Sequence, residues 1–192
     1  MAAALTLFFE AAVLPSINGS LWRLEADLYE RGSFGYVHDV LKENRTGLGS
    51  LEEFKLAEVI FIESVSHKLD PLFVLALIKT ESTFYNWSKS FGGAVGLMQI
   101  LPSTGQEVAA ELNLNWKGEE TLLNPYLNVK MGVHYFSYLR ERYNDDTIAT
   151  LAAYNIGPGY FDSREPYDDA GARFATKVLR NYRHFKERAE VY

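Results

Sequence analysis

The sequence predicts a mainly α domain, and three observations carry that prediction. Apolar residues recur at three- and four-residue spacing through most of the chain, the period of a helix with one buried face. Strict apolar/polar alternation, the period of a half-buried strand, is nearly absent. A length of 192 residues with 47% hydrophobic content suffices for one well-buried domain and is short for two. About eight helices are expected, with residues 51–192 forming the main domain and residues 1–50 a helical extension packed on it.

The elements follow in order. Ser20 can cap a helix over 21–30, and after Gly32 and Gly35 a second short helix is expected around 36–43. Residues 44–49 read as a loop. Ser50 and Glu53 have the spacing of a capping box for a helix over 51–67. Asp70 and Pro71 supply an N-cap and a first-turn proline to the next helix. Its interior, Leu72 to Ile78, is apolar on every face and belongs at the centre of the domain. Between Tyr85 and Leu101 the pattern lapses into Gly92, Gly93 and Gly96, which leaves room for a loop or a small hairpin. Ser103 and Gln106 suggest another capping box after Pro102. Asn124 and Pro125 start a long helix toward Tyr143, and Asp146 starts one that Gly157, Pro158 and Gly159 stop. Residues 161–169 read as loop, and a final helix runs from about Ala170 toward Ala189.

A net charge of -6 argues against a ligand held through phosphates, so nucleic acid is not an expected partner. The basic residues Lys177, Arg180, Arg183, Lys186 and Arg188 recur at helical spacing and read as a solvated helix face. With no cysteine there is no disulfide, thiolate metal site or cysteine nucleophile. Residues 1–14 are apolar but contain Glu10 and lack a basic start, which makes a poor signal peptide or membrane span. No integral membrane segment is expected, and for an exported protein the signal is expected to be already removed.

Glu81 is the most informative residue. It closes the all-apolar helix directly ahead of the glycine-rich segment, where burial and the negative end of the helix dipole both disfavour a charged carboxylate. A protonated carboxylic acid in a cleft can protonate the leaving oxygen of a glycosidic bond. Position alone leaves a second reading open, an ion pair with Lys79 or another cation at the helix end.

Around Glu81 the pattern Glu81-Ser82, Gly96-Leu97-Met98-Gln99 and Ala153-Tyr154-Asn155 appears in order, with Asp70-Pro71, Gly93-Ala94, Pro102, Thr104, Asn124-Pro125, Asn128 and Gly132 at fitting separations. This closely resembles the catalytic domains of soluble lytic murein transglycosylases, over roughly Val59 to Tyr182. The resemblance implies a lysozyme-like fold with the glycine-rich loop or hairpin beside a groove for alternating N-acetylglucosamine and N-acetylmuramic acid. It implies one catalytic glutamate, here Glu81, acting first as acid and then as base, without cofactor, and closing an anhydro ring on the muramic acid. Peptidoglycan glycan strands are the partner it implies, and the periplasm or cell envelope, or a phage-encoded wall-degrading enzyme, the setting.

The matched positions Ser82, Met98, Gln99, Tyr154 and Asn155 are the expected substrate-binding set, each with a structural alternative. The Ser82 hydroxyl can orient Glu81 or bond back to its own helix. Gln99 can hold a sugar N-acetyl group or fasten the loop, and Met98 can line the groove or pack in the core. Tyr154 can set its hydroxyl near Glu81, and Asn155 can bond substrate or cap its helix. Phe84, Tyr85, Trp87, Phe91 and Tyr160 are candidates for stacking on sugar rings, of which two or three are expected to do so. One departure is Phe174, which stands where the family usually has a tyrosine; Tyr182 matches a later, structural tyrosine. No metal site is expected, since His38, His67, His134 and His184 lack ligand spacing. The pairs Asp145-Asp146 and Asp168-Asp169 read as loop charges and caps, with a weak calcium site as the alternative. Two other functions share the features: a hydrolytic muramidase or chitinase, and a non-catalytic glycan-binding module.

Overall fold

The computed structural model describes residues 32–163 and 169–191, so the expected helix over 21–30 and the reading of residues 1–14 lie outside the described residues. Nine helices occur among the described residues: α1 Ser33–Lys42, α2 Ser50–Ser66, α3 Pro71–Ser82, α4 Pro102–Glu111, α5 Glu119–Leu123, α6 Pro125–Arg142, α7 Thr147–Ile156, α8 Pro158–Asp162 and α9 Asp169–Ala189. The five-residue helices α5 and α8 were not anticipated, and α8 replaces the start of the loop expected after Gly159. Residues 164–168 of that loop, with Asp168, are outside the described set.

α3 is built as its sequence dictates. The Asp70 carboxylate accepts from the Leu72 N–H at 2.9 Å, and Pro71 takes the first turn, where a missing N–H costs nothing. Pro71 to Ile78 are all buried, which places this helix at the centre of the core. α9 packs along it. Asn181 Nδ2 donates to Thr80 Oγ1 at 2.9 Å, and the Tyr182 hydroxyl donates to Asp70 at 2.6 Å. Phe174, Ala175, Val178 and Phe185 of α9 are buried in the same core. α9 also meets α7, at a point where Gly171 lies so close to Ala152 that an added Cβ would stand 2.7 Å from the alanine's own. To the same core α1 contributes Tyr36, Val37, Val40 and Leu41, and α2 contributes Leu56, Ala57 and Ile60.

Two expected caps sit elsewhere. α2 starts one residue earlier than expected: Gly49 is its N-cap and its N–H donates to Glu52 at 2.8 Å, while Glu53 accepts instead from the Thr46 hydroxyl at 2.6 Å. α4 begins at Pro102 after Leu101, with no side-chain cap, so Ser103 lies inside the helix. Proline's fixed φ suits the first helical position, and it outweighed the serine. Asn124 and Asp146 do cap α6 and α7, each accepting from two backbone N–H groups at 2.9–3.1 Å.

The stretch 83–101 contains no strand. Two isolated antiparallel bridges, Lys89 to Val95 and Val95 to Ile100, give it the outline of a hairpin without a ladder.

Candidate active site

α3 ends by turning sharply. Thr83 and Phe84 both take left-handed backbone conformations, with φ of 51° and 67°, which cost about 1 kcal/mol or more for a residue with a side chain. Burial holds them there. Phe84 is fully buried, and Asn86, also fully buried, donates from Nδ2 to the Leu123 carbonyl at 3.0 Å. The turn brings the segment after Glu81 back across the end of its own helix.

Asn128 fixes the next stretch. Its Nδ2 donates to the carbonyls of Val95 and Leu122 at 3.0 and 2.9 Å, and its Oδ1 accepts from the Met98 N–H at 2.8 Å. Gly96, at φ 82°, passes so close to this amide that a Cβ would overlap it. Met98 is fully buried and rests against Gly132 of α6, where a Cβ would collide with its sulfur. The loop is therefore seated on α6 by one asparagine and two glycines.

The result is a pocket of about 400 Å³. α3 contributes Glu81; the irregular segment contributes Ser90, Gly92, Ala94, Gln99, Ile100 and Leu101; Thr104 comes from α4 and Tyr135 from α6. The α7–α8 corner contributes Tyr154, Asn155, Ile156, Gly157 and Pro158. Gly157, at φ 85°, makes that corner. Among the described residues, Glu81 is the only acidic one lining the pocket. Burial pushes its carboxyl up from 4.5 to about 8, so it carries its proton at neutral pH. Among the described residues no ion pair reaches it. Lys79, the cation that could have neutralised it, is engaged elsewhere, its Nζ lying 5.8 Å from the ring centroids of both Phe84 and Phe185.

The five expected substrate residues divide. Gln99, Tyr154 and Asn155 line the pocket with Glu81; Ser82 and Met98 do not. The Ser82 hydroxyl donates back to Ile78 O at 3.1 Å inside the core, and Met98 fills the space under the loop. Gln99, at φ 48°, uses its amide N–H groups on the Ser88 and Gly96 carbonyls at 3.2 and 2.9 Å, which leaves its side-chain oxygen for a ligand. The Tyr154 hydroxyl donates to Met98 O at 2.9 Å, and burial first, then the proximity of Glu81, raises it well above the usual phenol range. Of the five aromatic candidates Phe84 is core, while Tyr85, Trp87, Phe91 and Tyr160 are exposed. Phe174 is buried against the core. Tyr135 was missed. It sits seven residues after Asn128 and three after Gly132, on the same face of α6, and that spacing was the signal that could have found it.

The fold is a mainly α, lysozyme-like one shared with the lytic transglycosylases. The 70 kDa soluble lytic transglycosylase of Escherichia coli superposes with a TM-score of 0.60 at 21% identity, over 83% of this chain and 29% of that one. The lytic transglycosylase Slt of Pseudomonas aeruginosa, solved as an inactive mutant, gives 0.61 at 22% identity, over 69% and 24%. The chain belongs to the Transglycosylase SLT domain family, whose model matches residues 58–176. Among curated relatives, the soluble lytic murein transglycosylase of Escherichia coli K12 is 33% identical over 153 residues, 79% of this chain. The membrane-bound lytic murein transglycosylase C of Histophilus somni 2336 is 35% identical over 100 residues, 47% of this chain. The chain spans 20% of the first relative's length and 28% of the second's. Among the described residues no helix is long and apolar enough to cross a membrane.

Proposed function

We propose that this chain is a lytic transglycosylase that cleaves peptidoglycan glycan strands between N-acetylmuramic acid and N-acetylglucosamine, with Glu81 as its single catalytic acid and base. The observation that carries the reading is an acid, protonated up to about pH 8, in a pocket that no other carboxylate among the described residues lines. Family membership supports the same reading.

The chemistry follows from that one group. Glu81 gives its proton to the glycosidic oxygen, and the bond from the muramic acid C1 to that oxygen breaks, releasing glucosamine with a free hydroxyl. The substrate's N-acetyl oxygen stabilises positive charge at C1. Glu81, now a carboxylate, takes the proton from the muramic acid 6-hydroxyl as O6 bonds to C1. The anhydro ring closes, Glu81 regains its proton, and no water is consumed. A hydrolytic glycosidase of the inverting type needs a second carboxylate to activate water, and none of the described lining residues supplies one.

In this reading burial keeps Glu81 protonated, and Tyr154, whose hydroxyl proton is committed to Met98 O, forms part of the wall around it. Gln99 and Asn155 hold the sugar's acetamido groups. Ser82 and Met98 act beneath the pocket by fixing helix and loop. The relatives' names speak of murein, and the setting we infer for this chain is the periplasm or cell envelope.

The test is mass spectrometry of the material released from purified sacculi by the wild-type protein and by Glu81→Gln. Anhydro-muramic ends that vanish in the variant are expected. Reducing muramic ends would replace the assignment with a hydrolytic muramidase, and sacculus binding without release by either protein would replace it with a glycan-binding module.

A further inference from the structure

Among the described residues no large apolar side chain is more exposed than Phe91, whose ring stands entirely in solvent. A phenylalanine in that position forgoes the stabilisation that burial would contribute, and a turn requires nothing apolar there. The turn itself is firmly built. Ser90 N donates to Ala94 O at 2.9 Å, Gly93 N to Ser90 O at 3.0 Å, and Ala94 N to Ser90 Oγ at 2.9 Å. The ring therefore projects from a fixed frame. Around it there is open space: a Cβ at Gly93 would meet nothing within 4 Å, and one at Gly92 only Ser90 Oγ at 3.8 Å.

Its neighbours on both sides, Ser90 and Gly92, line the pocket that holds Glu81. Ala94 and Leu101 line it as well, and Leu101 is itself 44% exposed. Apart from the Ser90 hydroxyl, which accepts from the Ala94 N–H, this part of the rim is apolar, and Phe91 adjoins it in the chain. A ligand that filled the pocket and ran on past the rim would cover the ring.

We propose that Phe91 is a stacking platform for the sugar ring next to the one held beside Glu81, and so sets how strongly the protein prefers long glycan strands to short ones. The proposal rests on the glycan reading given above. A pyranose ring presents one face of C–H groups, which pack on an aromatic face. Phe91 carries no polar atom, so it recognises that ring face and leaves the acetamido and lactyl groups to other residues.

The test is calorimetric titration of the Glu81→Gln protein, with and without Phe91→Ser and Phe91→Trp, using peptide-free glycan strands of two and of six sugars. Phe91→Ser is expected to weaken the six-sugar strand roughly tenfold, the scale of one apolar ring face covered, and to leave the two-sugar strand unchanged. Phe91→Trp is expected to restore the long-strand affinity. Equal affinities for Phe91→Ser and its parent at both lengths would overturn the proposal and leave the glycan reading standing, as would an equal loss at both lengths. Binding of neither strand by any of the proteins would instead remove the glycan reading, and this proposal with it.

Discussion

In the proposed mechanism Glu81 ties function to stability at a single group of atoms. Its carboxyl titrates near 4.5 in the unfolded chain and about 8 in the folded one. Below pH 4.5 both states hold the proton and the residue contributes no pH dependence. Between 4.5 and about 8 the unfolded chain releases a proton that the folded chain keeps, so stability falls as pH rises. At pH 7 this destabilises the fold by at most about 3 kcal/mol, less where the pocket admits water. Glu81→Gln removes the titration. It is expected to raise the melting temperature at pH 7 by about 5 °C and to lose that advantage near pH 4. Equal melting curves at both pH values would show that the residue is not held protonated. The same scale explains which side chains the sequence misassigned. Neighbours in a helix point about 100° apart, so Ser82, adjacent to Glu81 in the motif, turns into the core, and the motif cannot express that direction.

At the scale of the element, the loop between α3 and α4 has no ladder of its own and depends on α6. From a fully buried position Asn128 supplies two of its hydrogen bonds, to Val95 O and from the Met98 N–H, and a third that ties them to Leu122 O of α5. Asn128→Ala leaves two carbonyls and one N–H without those partners, and each unsatisfied buried group costs about 1–3 kcal/mol. We expect a loss of roughly 3 kcal/mol in denaturant unfolding, with catalytic activity falling further than the folded fraction accounts for because Gln99 and Met98 sit on the released segment. A variant with unchanged activity per folded molecule would show that the loop keeps its shape unaided. Helices with strong local punctuation were legible in the sequence: Asp70-Pro71, Asn124-Pro125 and Asp146 act within one turn. α5 and α8 were not, since five residues are too few to display a period. Nor was the course of 83–101, which is decided by Asn128 from thirty residues away.

For the whole molecule, the family match at 58–176 stops short of what the core requires. α1 lies before it, and Val178, Tyr182 and Phe185 of α9 lie beyond it, yet Tyr36 meets Phe185 edge-on at 6.5 Å and Tyr182 holds the start of α3. A chain trimmed to residues 58–176 is therefore expected to show no cooperative thermal transition by circular dichroism, where residues 32–192 show one. A sharp transition in the trimmed chain would mean that these layers are dispensable. Gly132 and Met98, the seam between α6 and the loop, bear on how such a chain can diverge. A methyl group on the glycine demands the space the thioether occupies, and a shorter residue at 98 leaves a void that only a larger one at 132 fills. Neither position has a comfortable single step away from its present residue, so descendants of this sequence reach a new pairing there by two changes close together in time or keep the old one.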